Sequence, residues 1–278
     1  MLPVRAVLVD FDGTASLDDV SEVLLQEFGD PGWPFYDELV DRGEMGLREA
    51  GRHQSAMLAG APEEMLAFAL DRCRLDPTFP PFVAWAEGLS LPVTVISDGF
   101  GFYIRPMLEA AGLGGLRLLT NELVVDDGRP RLAHPNGHPE CRGCGTCKML
   151  AAVRAREHFG PVAFVGEGQS DRYGALYSDI VFAKKDLVRI CREDGVPFLP
   201  WETFDDVRGV LEGIDRLPGL LRRNGVRDGE LPDRVTLRSL EGRWPRDSNP
   251  RGVAPYTLSR RAPSSARADH RRPVYGRE

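Results

Sequence analysis

Lysine is almost missing from this 278-residue chain: Lys148, Lys184 and Lys185 stand against 32 arginines. Where arginine supplies the solvated positive surface, each lysine is individually informative. Long apolar runs are also missing. No stretch reaches the ~18 apolar residues of a membrane span, and the run before Asp10 is too short and wrongly flanked for a secretory signal. No membrane partner is expected, and the cytoplasm is the expected compartment. Five cysteines are too few for a disulfide scaffold at this length, although three of them bunch at 141, 144 and 147. The net charge of −7 argues against a general nucleic-acid binder, so no nucleic-acid partner is expected. That charge is uneven, because from Val226 onward twelve arginines face seven acids, leaving a tail of +5 and a remainder of −12. With 42% hydrophobic residues the chain can bury a substantial core, as one large domain or two modest ones. Nothing in it speaks to oligomeric state.

The run Val4 to Val9 has the apolar, β-branched character of a strand buried on both faces. Helical spacing follows over Asp18 to Phe28, Tyr36 to Met57 and Pro62 to Cys73, the last opening on proline and two glutamates. Phe82 to Leu89 reads as a helix leading into a second buried strand, Pro92 to Asp98. Phe102 to Ala111 is expected helical, Leu116 to Leu119 and Glu122 to Val125 short strands, and Asp127-Gly128 a hairpin turn. Helices are expected at Met149 to Phe159 and Arg172 to Ser178, and strands at Pro161 to Gly166 and Ile180 to Ala183. Thr203 to Leu221 should give one or two terminal helices. Beyond Asn224 the apolar residues are too sparse to offset the chain entropy of ordering, and disorder is expected. Strands alternating with helices make a parallel α/β sheet the economical architecture. In such sheets ligands bind beyond the carboxyl ends of the strands, where Asp10, Ser97 and Glu167 fall.

Val7-Leu-Val-Asp10-Phe-Asp12-Gly-Thr14 puts two carboxylates two residues apart at a strand end, and Gly13 lets the chain leave in a tight turn. Acids that close raise each other's pKa unless a divalent cation lies between them or one keeps its proton. Taken alone, the same residues also make an ordinary exit from a strand. Three further polar sites follow other element ends: Ser97, then Lys148, then Glu167 with Asp171.

These four in order resemble the haloacid dehalogenase superfamily of phosphotransferases, and the resemblance spans residues 4 to 216. It implies an α/β fold with a three-layer, Rossmann-like parallel sheet core (residues 1–15 and 90–216) and an inserted all-helical cap (16–89), followed by a terminal helix and tail (217–278). It implies a phosphatase for a small phosphorylated metabolite, with Asp10 as nucleophile and Asp12 as acid and base. Ser97, Lys148 and the backbone around Asp98 and Gly99 would bind the phosphoryl oxygens. Mg²⁺ would be held by Asp10, the Asp12 carbonyl and an acid after the later strand. That acid is usually an aspartate after glycine, and this chain has Gly166-Glu167. Either Glu167 serves with shifted geometry or Asp171 takes over. The alternative is that Glu167 marks a weakened relative that binds a phosphorylated ligand without turnover.

The helical insertion places the chain with the subclass that contains phosphoserine phosphatases, for which Arg48 and Arg52 are candidate partners of a substrate carboxylate. Cys144-Gly-Thr-Cys147-Lys148, Phe182-Ala183 and Cys191 to Pro200 resemble the methionine-salvage phosphatases of 2-hydroxy-3-keto-5-methylthiopentenyl-1-phosphate more closely. Cys141, Cys144 and Cys147, with His134 and His138 upstream, have the residue types of a zinc site. They equally fit a tight loop that delivers Lys148.

Overall fold

The computed structural model describes residues 2, 4–126, 129–141 and 143–213. The turn expected at Asp127-Gly128, the part of the expected terminal helices beyond residue 213 and the tail expected to be disordered lie outside the described residues. At the centre is β1 (Ala6–Val9), whose alternate side chains enter two different cores: Val7 and Val9 one, Ala6 and Leu8 the other. This is the period-two consequence of a strand covered on both faces. β1 pairs in parallel with β2 (Val93–Phe100) and β5 (Val162–Gly166). The sheet extends through β3 (Arg117–Asp126) and the antiparallel β4 (Arg129–Ala133) on one side, and β6 (Ile180–Ala183) and β7 (Leu199–Pro200) on the other. Its order is β4-β3-β2-β1-β5-β6-β7.

Five helices lie between β1 and β2: α1 (Val20–Phe28), α2 (Pro34–Asp41), α3 (Leu47–Met57), α4 (Pro62–Arg72) and α5 (Phe79–Gly88). α6 (Gly101–Ala110) follows β2, α7 (Lys148–Phe159) precedes β5, α8 (Arg172–Leu176) and α9 (Lys185–Asp194) flank β6, and α10 (Phe204–Leu211) follows β7. One core gathers Phe79 and Phe82 of α5, Ile104 of α6 and Phe204 of α10. The other gathers Ala152 of α7, Leu176 of α8 and Leu187 and Ile190 of α9. The result is helix, sheet, helix in three layers.

Two elements depart from the sequence reading. The expected helix of Tyr36 to Met57 is broken into α2 and α3 around Gly43, which adopts a φ of 68° that ends a helix at no steric cost. The two short strands expected at 116–125 are one strand, β3, because its far half pairs with β4 after its near half has paired with β2. α9 and β7 had no counterpart in the sequence reading.

The chain leaves and rejoins the core at one place. Ser16 and Leu75 form an antiparallel bridge, flanked by Leu17 N–H donating to the Arg74 carbonyl and Asp76 N–H donating to that of Ala15, each at 2.9 Å. α1 to α4 hang beyond this double crossing. α5 belongs with the sheet layers: its Phe79 and Phe82 rings meet Phe204 of α10 at centroid distances of 4.8 and 5.3 Å. Among the described residues no helix is long and apolar enough to cross a membrane.

Candidate active site

Asp10 and Asp12 leave the end of β1 on either side of the buried Phe11, and the turn closes through Gly13 at φ 65°. A Cβ at Gly13 would lie 2.6 Å from Cδ of Glu167, so glycine is required here for space as well as for conformation. Asp10 is 4% exposed. Burial pushes its carboxyl pKa well up and the charge of Asp171 adds to this, while Lys148 opposes both.

Asp12 is gripped by three donors. Val20 N–H at the start of α1 reaches Oδ1 at 3.1 Å, Ser97 Oγ reaches Oδ2 at 3.0 Å, and the Tyr103 hydroxyl lies 3.1 Å from both oxygens. Burial nonetheless raises its pKa, which favours a carboxyl that keeps a proton. Tyr103, fully buried on α6, also meets Ser21 Oγ of α1 at 2.7 Å. The sequence reading missed Tyr103, whose helical spacing looks like ordinary core.

Ser97 and Gly99 sit where β2 becomes irregular, between Ile96 and Phe100. The Gly99 N–H, expected to face a ligand, donates to Ser97 Oγ at 2.8 Å, which orients that hydroxyl toward Asp12. A Cβ at Gly99 would fall 2.0 Å from the Tyr103 hydroxyl and 2.5 Å from Asp12 Oδ2. Asp98 turns elsewhere: its Oδ1 accepts from Thr146 N–H and its carbonyl from Asn121 Nδ2, both at 2.5 Å. Asp98 thereby anchors the loop that carries Lys148.

That loop ends at Cys147, whose thiol accepts from Leu150 N–H at 3.4 Å and caps α7, leaving Lys148 as the first helical residue. Cys141 Sγ accepts from Gly143 N–H at 3.5 Å, His138 Nδ1 from Glu140 and Cys141 N–H, and His134 Nδ1 bonds Asn121. These contacts build a tight turn, and among the described residues no group of three His, Cys, Asp or Glu is arranged to hold a metal. Lys148, 2% exposed, places Nζ 2.6 Å from Asp10 Oδ1, 2.6 Å from Asp171 Oδ1 and 2.9 Å from Ser170 Oγ. Burial alone would lower its pKa, but Asp10, Asp171 and Asp98 outweigh burial and keep it charged.

Both oxygens of Asp171 are committed, Oδ1 to Lys148 and Oδ2 to the N–H groups of Glu167 and Gly168 at 2.8 and 3.0 Å. Glu167 lies against Gly13, and its Oε2 meets Lys185 Nζ at 2.5 Å. The donor set around Asp10 fits a hard cation. Asp10 and Asp171 share a single buried ammonium, burial and the charge of Asp171 raise the Asp10 pKa, and carboxylate oxygens so placed are the ligand type a hard cation takes. With Asp171 occupied, Asp10, the Asp12 carbonyl and Glu167 are the residues that would hold Mg²⁺.

A cavity of about 260 Å³ separates these residues from α1 and α3. Arg48 of α3 lines it, with Nε donating to the Cys144 carbonyl at 2.8 Å and its backbone N–H to that of Gly143 at 3.1 Å. Arg48 Nη2 is buried and, among the described residues, has no hydrogen-bond partner. Arg52 is exposed and does not line the cavity.

Residues 7–175 match the family profile described as haloacid dehalogenase-like hydrolase. A 2-hydroxy-3-keto-5-methylthiopentenyl-1-phosphate phosphatase of Bacillus velezensis is 26% identical over 223 residues, covering 79% of this chain and 95% of the relative. A polyol phosphate phosphatase of Saccharomyces cerevisiae is 27% identical over 234 residues, covering 76% and 94%. Among solved structures, a phospho-aspartyl intermediate analogue of phosphoserine phosphatase aligns with a TM-score of 0.57 at 17% identity, over 76% of this chain and 99% of that one, a likeness of fold. The chain belongs to the haloacid dehalogenase-like hydrolases and is a phosphatase.

Proposed function

We propose that the chain is a Mg²⁺-dependent phosphatase of a small phosphorylated metabolite, working through a phosphoryl-aspartate on Asp10. The observation that carries this reading is the Lys148 ammonium 2.6 Å from Asp10 Oδ1, with Asp12 two residues on, at the wall of a cavity roofed by helices. Phosphate monoesters hydrolyse extremely slowly in water, so the site must neutralise charge and place a nucleophile. An oxygen of Asp10 forms a bond to phosphorus as the bond from phosphorus to the ester oxygen breaks. Asp12, whose raised pKa suits it to carry a proton, delivers that proton to the leaving alkoxide. The resulting Asp12 carboxylate then takes a proton from a water, which attacks phosphorus, releases phosphate and restores Asp10. Lys148 and the Ser97 hydroxyl stabilise the phosphoryl oxygens. Mg²⁺, held by Asp10, the Asp12 carbonyl and Glu167, would supply further positive charge against the phosphoryl group.

The leading substrate is 2-hydroxy-3-keto-5-methylthiopentenyl-1-phosphate, supported by relatives of that name covering most of the described chain. A second reading, phosphoserine or another substrate with a carboxylate, is favoured by Arg48, which lines the cavity and whose buried Nη2 has no hydrogen-bond partner among the described residues. Phosphate release from these compounds and from polyol phosphates, with Mg²⁺ and with EDTA, decides between them. Asp10→Asn is expected to abolish turnover of every accepted substrate while leaving thermal unfolding cooperative. Undiminished release by that variant would remove Asp10 as nucleophile.

A further inference from the structure

Lys185 adopts a φ of 46°, one of two non-glycine residues with positive φ among the described residues. That region is disfavoured for any residue with a Cβ, so the surroundings must hold it there. They do so through the segment that carries Glu167. Lys184 N–H donates to the Gly166 carbonyl at 3.3 Å and Leu187 N–H to the Glu167 carbonyl at 2.8 Å, which pins the start of α9 to the end of β5. The Lys185 ammonium then meets Glu167 Oε2 at 2.5 Å. The lysine side chain is 59% exposed and the glutamate 16%, and because Oε2 is buried with no hydrogen-bond partner among the described residues, the contact is one of charge. On its other side the same carboxylate lies against Gly13, one residue after Asp12.

From this geometry we infer that Lys185 is a built-in counter-cation for Glu167, competing with the divalent cation for that carboxylate and setting how tightly the metal is held. The inference rests on the reading that Glu167 is the acidic metal ligand after β5. A glutamate is long enough to have two uses, and the strained lysine supplies the second. In the metal-free enzyme Lys185 neutralises a carboxylate that would otherwise stand uncompensated beside Gly13. When the cation binds, that ion pair must be weakened, and its loss is subtracted from the affinity for the metal.

The test is isothermal titration calorimetry of Mg²⁺ into the substrate-free full chain. Lys185→Met should lower the Kd for Mg²⁺ by about fivefold, the scale of an exposed ion pair, while Lys185→Arg, which keeps the charge, stays within about twofold of the parent. Glu167→Gln should weaken binding by more than about tenfold, the cost of losing a charged ligand. If Lys185→Met binds within about twofold of the parent while Glu167→Gln has lost binding, the counter-cation is overturned and the metal reading stands. Equal tightening by Lys185→Met and Lys185→Arg would also overturn it, since charge would not be the cause. A Glu167→Gln protein that binds like the parent would instead sink the placement of the metal on which the inference rests.

Discussion

Asp171 holds Lys148 with one carboxylate oxygen at 2.6 Å while its other oxygen is fixed by the backbone of Glu167 and Gly168. Asp171 therefore positions the lysine and has no oxygen to spare for a cation. Asp171→Asn leaves a buried ammonium with Asp10 as its sole close carboxylate. The expected outcome is a stability loss of about 3–5 kcal/mol and a kcat about 10²-fold lower. The Kd for Mg²⁺ should stay near the parent value. Thermal unfolding, steady-state kinetics and metal titration check the three parts, and a metal affinity that collapses with Asp171→Asn would return Asp171 to the ligand set.

Tyr103 reaches both oxygens of Asp12 and a serine of α1 through one hydroxyl. Tyr103→Phe keeps the ring that packs near Phe11 and Phe100 and deletes only those bonds. Losing a buried hydrogen bond to a carboxyl group costs about 1–2 kcal/mol, so kcat should fall about tenfold with KM nearly unchanged. A normal kcat would show that Val20 and Ser97 orient Asp12 by themselves.

Arg48 and Arg52 lie one helical turn apart on α3, yet only Arg48 lines the cavity. Arg48→Ala should raise KM by about tenfold to a hundredfold, the range of a charge-assisted hydrogen bond. Arg52→Ala should leave KM within about twofold. Equal effects of the two would mean that α3 contributes charge in general and not a specific contact.

Lys184 lies 3.9 Å from the Trp201 ring centroid, and burial, with the neighbouring charge of Lys185, brings its pKa down to about 8. A folded pKa below that of the unfolded chain gives a stability contribution that is complete above the unfolded pKa, near 10.5, and is lost as pH falls through about 8. Lys184→Met escapes that loss. Its melting temperature should exceed the parent's at pH 7, and the difference should close as pH rises from about 8 toward 10. A difference independent of pH would locate the effect in packing on Trp201.

Asp10, Asp12 and Lys148 were legible because spacing and scarcity are local signals: two acids at period two after a buried strand, and one of three lysines just before a helix. The three-layer sheet was legible for the same reason, since strands such as Val162–Gly166 are continuously apolar. Orientation was not. Nothing in the sequence says that Asp171 turns its oxygens to Lys148, or that the Gly99 N–H closes back on Ser97, because both depend on partners fixed by the fold. α9 was overlooked because it buries only Leu187, Ile190 and Cys191 among ten mostly charged residues. Arg48 meets a carbonyl 96 positions away, a distance no periodicity reports.

The bridge between Ser16 and Leu75 has a topological meaning for the whole molecule. Seen from the sheet, everything between those two residues occupies the place of a hairpin turn, so the register of β1 against β2 does not depend on how many helices are threaded through it. The exception is the first turn of α1, whose Val20 N–H and Ser21 hydroxyl reach down to Asp12 and Tyr103, so the start of the insertion is tied to the strand ends while its far helices are not.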